Sequence, residues 1–454
     1  MKTLVGDQLA FFNTNQTKDI GWRIEQLKKL RNLLKTNETL LYQAIYADFK
    51  KSEFDTFTTE LSILYTEIDE TIDKVNSWAK KKKVKTNLLN FPATSYIIPE
   101  PLGVTLVIGA WNYPFQLSLL PAIAAIAAGN TVIVKPSEIA SECSKVMAQL
   151  INNHFNPEFF KVVEGGVAET TDLLAQRFDK IFFTGSVAVG KIVYAAAAKH
   201  LTPVTLELGG KSPAIIADDC NLKITVKRLV WAKFLNAGQT CIAPDYVLVS
   251  KKLEQSFLEL VKKEIESQYF SVQNQNYVQI INSRNLKRLV DLIDKEKVYH
   301  GGTVDEQARI IEPTILHNVT FEDKVMQEEI FGPILPVIAY HSLDDAIAKI
   351  KAGEKPLSCY VFTSDAAIKN KLLTEISFGS GAVNESLMQI ANSHLPFGGV
   401  GESGMGAYHG EHGFRAFSHY KSVLEKSTLI EPSLKYFPHS VKKLKWIKWI
   451  MGVS

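Results

Sequence analysis

GVTLVIGAWNYP, residues 103–114, is the stretch that sets the fold class. Val104 to Ile108 form a short β-branched, apolar run, closed by Gly109 and followed by the Ala-rich LSLLPAIAAIAAG. The first part predicts a strand and the second a helix buried between layers. TVIVKP comes next, then a helix from about Glu138, and the pattern returns at KVVEGG, KIFFTGS and VTLELGG. Strands alternating with helices imply a parallel sheet covered on both faces. A second alternating series begins near Ser212, with PAIIADD, YVLVS, GPILPVIAY and CYVFT as strands. It predicts a second α/β domain.

Upstream, the first 80 residues read as helices. Ile24, Leu27, Leu30 and Leu34 recur at helical spacing, as do Leu61, Leu64, Ile68, Ile72 and Val75. WAKKKKVKTN reads as a solvated helix end, and TSYIIPEPLG as an extended segment pinned by Pro99 and Pro101. Downstream, HLPFGGVGESGMGAYHGEHGF is too glycine-rich for helix and reads as a long ordered loop. In the terminal VKKLKWIKWIMGVS, Leu444, Ile447 and Met451 share a helical face, flanked by Trp446 and Trp449 among lysines. Such a tail either packs on its own or a partner subunit, or lies on an anionic membrane surface.

Composition narrows the function classes. A chain of 454 residues has room for two to three domains, and 46% hydrophobic with 22% charged residues is ordinary for a soluble globular protein. A net charge of +3, from 51 basic and 48 acidic residues, is too small for a nucleic-acid footprint. Cys143, Cys220, Cys241 and Cys359 form no CxxC pair, and no His lies at zinc spacing from them, so no metal site is expected. The N-terminus lacks the apolar core of a signal peptide, and the few cysteines suit a reducing cytoplasm. No apolar run reaches the ~18 to 20 residues of a spanning helix.

The chemistry-bearing residues cluster at strand ends, where open α/β sheets bind ligands. Lys135 and Glu138 in VIVKPSE are placed to meet a polar ligand, or form a solvated loop and helix start. Gly185 and Ser186 in FTGSVAVGKIV open a helix whose N-terminus would favour phosphate, although the turn lacks the GxGxxG pattern. Asn112 in GAWNYPF offers a side-chain amide that could hold an oxyanion, or is a turn residue. Glu207 in LELGGK is a general base or a lysine's partner, and Glu329 in EEIFGP precedes a strand. Cys241, in FLNAGQTCIAPDYV, is a packed thiol or a presented one.

Together, WNYP, KPSE, FTGS, LELGGK, AGQTC, EEIFGP and PFGGVGESGMG resemble, in this order, the aldehyde dehydrogenase superfamily across essentially the whole chain. The short N-terminus, GAWNYPFQL, CIAPDYVL and LKYFPHS look like its class 3 branch of fatty and aromatic aldehyde dehydrogenases. The resemblance implies an α/β fold with a Rossmann-like NAD-binding domain, an α/β catalytic domain and a small β bridging and oligomerisation element. Residues 1–80 and 103–207 would bind NAD(P), 208–400 would form the catalytic domain, and 81–102 with 401–440 the bridging segment. Residues 441–454 would be a basic amphipathic tail. Cys241 falls at the nucleophile, Glu207 at the general base and Asn112 at the oxyanion amide. Lys135 and Glu138 match the ribose-holding pair, and Gly185 and Ser186 the turn facing the pyrophosphate. Glu329 and Phe331 match the pair at the nicotinamide end.

The implied reaction is NAD(P)-dependent oxidation of an aldehyde to an acid through a thiohemiacetal and a thioester on Cys241, without metal. NAD is the expected cofactor, because Glu138 repels a 2'-phosphate; Lys135 could offset this and admit NADP. The thiol is expected to have a lowered pKa. Tyr65, Trp111 and Tyr113 are expected at an apolar entrance for medium-chain or longer aliphatic, or aromatic, aldehydes. The expected assembly is a homodimer. The competing readings are a CoA-acylating semialdehyde dehydrogenase, against which Glu207 argues, and a non-catalytic structural relative.

Overall fold

The protein, a computed structural model, is described over residues 1–453. Val104–Ile108 is a fully buried strand within a six-stranded sheet. The order is Gly404–Met405, Val204–Glu207, Lys180–Thr184, Val104–Ile108, Thr131–Lys135, Phe160–Val162. All neighbours run parallel except Gly404–Met405. The chain builds outward from Val104–Ile108 to one side, then returns to build the other. That reversal is a switch point, which opens a crevice beyond the carboxyl ends of the strands. Register pairs Ile108 with Lys135 and Phe183, and Thr184 with Glu207, so these strands end together on one rim. The Ala-rich segment is the helix Pro114–Ala128, with every residue buried. Helices Ile20–Thr36 and Ser62–Trp78 pack on it through the apolar stripes read from the sequence, burying Leu27, Leu30, Leu34, Leu64, Ile68 and Val75.

The second series forms a seven-stranded sheet in the order Val298–His300, Thr314–Leu316, Ile334–Tyr340, Tyr246–Ser250, Pro213–Ile216, Ser358–Phe362, Ser380–Val383. Val298–His300, Thr314–Leu316 and Ser380–Val383 are additions to the expected set. They span only 3, 3 and 4 residues, too short to carry a pattern. Beyond the carboxyl rim of the first sheet, Asn112 bonds to Asn236 and Gln239 in the segment leading into Tyr246–Ser250, and Gly209 meets Glu329 in the segment leading into Ile334–Tyr340.

A three-stranded sheet joins Lys82–Val84, Ala93–Pro101 and Ser418–Lys426. Lys82–Val84 comes from the charge run expected to be a helix end: the helix stops at Trp78, and the lysines line an edge strand. Within 401–440 only Ser418–Lys426 enters this sheet, whereas Gly404–Met405 joins the first. The glycine-rich stretch expected as loop contains the helix Gly410–Ala416. Gly413 is part of the reason: a Cβ there would lie 3.0 Å from the Ala124 side chain, so the glycine permits close helix packing. The tail forms the helix Val441–Ile450, which buries no residue and leaves Trp449 68% exposed, while Lys443 Nζ donates to the carbonyls of Tyr436 and Pro438. Among the described residues, no helix is long and apolar enough to cross a membrane.

Candidate active site

Asn112 follows the strand Val104–Ile108 and is buried. Its Nδ2 donates to the Gln239 carbonyl at 3.1 Å, and its own carbonyl accepts from Asn236 Nδ2 at 3.1 Å. The first sheet is thereby tied to the loop carrying Cys241. That loop is unusual: Asn236, Ala237 and Gly238 have φ of 54°, 51° and 71°. Asparagine tolerates this region and Gly238 needs it, because a Cβ there would strike the Gly332 carbonyl. The Gln239 side chain locks the turn. Its Nε2 donates to the carbonyls of Asn236 and Gln279 at 3.1 Å each, and its Oε1 accepts from Ile281 N at 3.0 Å. Tyr113 and Thr240 share a hydroxyl hydrogen bond of 2.6 Å, immediately before the partly exposed Cys241.

Two carboxyl groups act on the thiol. Burial, with Glu329 and then Glu207 adding to it, pushes Cys241 up to about 12. The expected lowering is therefore reversed. The charges felt by Cys241 are negative. Glu207 closes the strand Val204–Glu207, and neither of its buried oxygens has a hydrogen-bond partner. Burial holds it well above the carboxylate range. The Glu329 carboxylate lies against Gly209, where a side chain would overlap its Oε2. Burial, then Asp245, push Glu329 to about 8.

The loop bearing Glu329 is fastened by residues that the sequence reading passed over. Asp245 Oδ1 accepts from Ile330 N at 2.9 Å, and Lys211 Nζ donates to the carbonyls of Val325 and Glu328 at 2.9 and 2.8 Å. Arg288 Nη2 reaches the Ile330 carbonyl at 2.6 Å. Lys211 and Asp245 stood inside quoted motifs, and a charged residue beside so much apolar sequence was the available signal. Phe331 sits at φ 49° with its ring edge-on to Trp111, centroids 5.3 Å apart.

On the same rim, Lys135 is buried at its strand end, with Nζ 2.7 Å from the Pro136 carbonyl and 3.5 Å from Glu138 Oε2. Burial pulls Lys135 down, and Glu138 opposes that. The Glu138 carboxylate itself is half-exposed. Gly185 N donates to the Glu207 carbonyl at 3.0 Å, and a Cβ at Gly185 would come within 2.6 Å of the Phe183 ring. Ser186 caps the helix Val187–Ala198. A glycine turn that excludes a side chain, a helix start, a lysine and an exposed carboxylate suit a dinucleotide's pyrophosphate and ribose. Tyr65 stands apart: its hydroxyl donates to Glu38 at 2.9 Å, and Arg31 and Lys35 lie 5.6 Å from its ring centre. Tyr113 is a buried wall rather than an exposed entrance.

The two sheets and the rim of the first define an α/β protein suited to a dinucleotide, and comparison with known proteins identifies its family. The profile of the "Aldehyde dehydrogenase family" matches residues 9–423. The chain is 46% identical over 446 residues to 4,4'-diaponeurosporen-aldehyde dehydrogenase of Staphylococcus aureus, covering 97% of each. It is 45% identical to the dimeric NADP-preferring aldehyde dehydrogenase of Rattus norvegicus, covering 95% of this chain and 96% of the relative. A solved structure described as the substrate-bound state of Staphylococcus aureus AldH superposes with a TM-score of 0.97 at 45% identity, covering 99% of each chain. The chain belongs to the aldehyde dehydrogenase family. It is an oxidoreductase that oxidises aldehydes with NAD(P), close to the class 3 branch.

Proposed function

We propose that Cys241 is the nucleophile of this oxidation, Asn112 the oxyanion donor and Glu207 the base that releases the acid. The observation that carries the reading is the joining of the Asn112 and Cys241 loops by paired amide bonds, with two carboxyl groups acting on the thiol. The Cys241 proton passes to a carboxylate as Sγ bonds to the aldehyde carbon. One N–H of Asn112 Nδ2 is committed to Gln239, and the other is free to hold the resulting oxyanion with the Cys241 backbone N–H. Bound NAD(P) would supply the hydride acceptor, and loss of hydride from the carbon held by Sγ leaves a thioester on Cys241. Glu207, whose oxygens have no other partner, removes a proton from the water that attacks it, and the Cys241 thiolate leaves. Glu329 is the second candidate base.

Lys135 and Glu138 would hold the adenosine ribose, Gly185 and Ser186 the pyrophosphate, and Glu329 with Phe331 the nicotinamide end. NAD is favoured by Glu138, and NADP use is supported by the rat relative's name. Glu138→Gln should shift the NADP-to-NAD ratio of kcat/KM upward, and an unchanged ratio would remove Glu138 from that choice. Residues 1–80 and 103–207 would form the cofactor domain and 208–400 the catalytic domain. The substrates are apolar aldehydes, aliphatic of medium or long chain or aromatic, for which Trp111, Phe331 and Tyr113 supply the wall. A panel of such aldehydes against charged ones, read by NADH formation with and without CoA, tests this. Faster turnover of charged aldehydes, or acyl-CoA formation, would overturn it.

The protein is proposed to be a homodimer, in line with the word dimeric in the rat relative's name, and to act in the cytoplasm. The exposed tail helix, with Leu444, Trp446 and Trp449 among lysines, is proposed to touch anionic membrane surfaces.

A further inference from the structure

We infer that the buried ion pair Lys51–Glu60 is a positioning device that sets Asn112, an inference that rests on the reading of Asn112 as oxyanion donor. The helix Pro114–Ala128 starts two residues after Asn112, and its cap residue, Tyr113, makes no side-chain cap bond. Pro114 has no N–H, so Phe115 and Gln116 carry the first unpaired donors of the helix. Both donate to Glu60 Oε2, at 2.8 and 3.2 Å. A carboxylate from a remote element thus does the work of a cap, with its charge on the positive end of the helix.

Glu60 sits on a π-helical turn, Phe57–Leu61, between the helices Glu53–Thr56 and Ser62–Trp78. Such turns are rare and concentrate at functional sites. Lys51 is held between two helix ends: Lys50 closes Glu38–Phe49 at φ 62°, and Ser52 Oγ caps Glu53–Thr56. Its Nζ lies 3.2 Å from Glu60 Oε1 and 4.1 Å from the centre of the Tyr113 ring, and both side chains of the pair are fully buried. Lys51 therefore clamps the residue on one side of Asn112's helix start, and Glu60 the backbone on the other. Burial pulls Lys51 down and pushes Glu60 up, while their mutual attraction opposes both shifts.

Stability is a poor reason for this arrangement. A buried ion pair often does no better than well-packed apolar residues of the same volume. What apolar residues cannot do is accept two backbone N–H groups and fix the turn beside Asn112.

A double-mutant cycle on the full-length enzyme tests this. Lys51→Met should lower kcat/KM about 10- to 100-fold, mainly in kcat, because misplacing one oxyanion donor loses part of its effect. In an Asn112→Ala background the same change should cost less than about threefold. Alkylation of Cys241 by iodoacetamide forms no oxyanion, so its rate should change less than about twofold in Lys51→Met. If Lys51→Met does not fold, Lys51→Met/Glu60→Gln removes both charges at near-constant shape and enters the same cycle with the same expectations. Undiminished turnover, a loss fully additive with Asn112→Ala, or a parallel loss of alkylation would each overturn the inference. An Asn112→Ala loss below about threefold would instead overturn the oxyanion reading itself, and this inference with it.

Discussion

A thiol pushed up to about 12 is nearly all protonated at neutral pH, so Cys241 is a guarded nucleophile in the free protein. The sign follows directly: its alkylation by iodoacetamide should be slow near neutrality and rise with pH across the alkaline range. Glu329→Gln removes the larger of the two carboxylate contributions, and above about pH 8, where Glu329 is charged, it should raise the alkylation rate. A slower rate in that variant would show that Glu329 serves Cys241 as base. Asn112→Ala should cost about 10²- to 10³-fold in turnover, the usual effect of one oxyanion donor. In the sequence Cys241, Asn112 and Glu207 are each ambiguous alone, and only the order of their motifs, through the family resemblance, singles them out. The sequence could not show the direction of the Cys241 shift, which is set first by burial and then by the charges of Glu329 and Glu207. Nor does a tyrosine beside a helical stripe reveal that Glu38 will hold its hydroxyl, as it does for Tyr65.

At the scale of elements, strand ends were the most legible feature, since β-branched runs closed by glycine mark them without tertiary context. Loops were the least legible. Three successive left-handed residues at Asn236–Gly238 leave only one glycine as a trace, and the short strands of the second sheet leave none. The lock on that loop is the Gln239 side chain, which satisfies three backbone groups. Gln239→Ala should cost about 2–4 kcal/mol in chemical denaturation, because it leaves buried donors and acceptors unmet. It should also depress turnover, since Asn112 hangs from the Gln239 carbonyl. Full stability in this variant would mean that the loop is held elsewhere. The helix Gly410–Ala416 is illegible in the sequence because Gly413 serves packing against Ala124 rather than flexibility.

For the whole molecule, pH and assembly give independent checks. His409 is buried against Phe397 and Tyr408, and burial lowers its pKa from 6.5 to about 4. The unfolded chain then binds more protons than the native one between those values, so this residue's contribution is present above pH 6.5 and is lost as pH falls toward 4. The full effect is about 3 kcal/mol. His409→Asn should therefore gain stability relative to the parent on acidification across that window, and an unchanged difference would contradict it. Light scattering should report a dimer, and a stable tetramer would refute that assembly. The covalent route through Cys241, with Glu207 acting on the thioester, is the core of the proposal. Its most direct test is intact-protein and peptide mass spectrometry of Glu207→Gln after brief mixing with aldehyde and NAD. A single burst of NADH and an acyl group trapped on Cys241 are the expected result. Normal steady-state turnover with no adduct on Cys241 would contradict it.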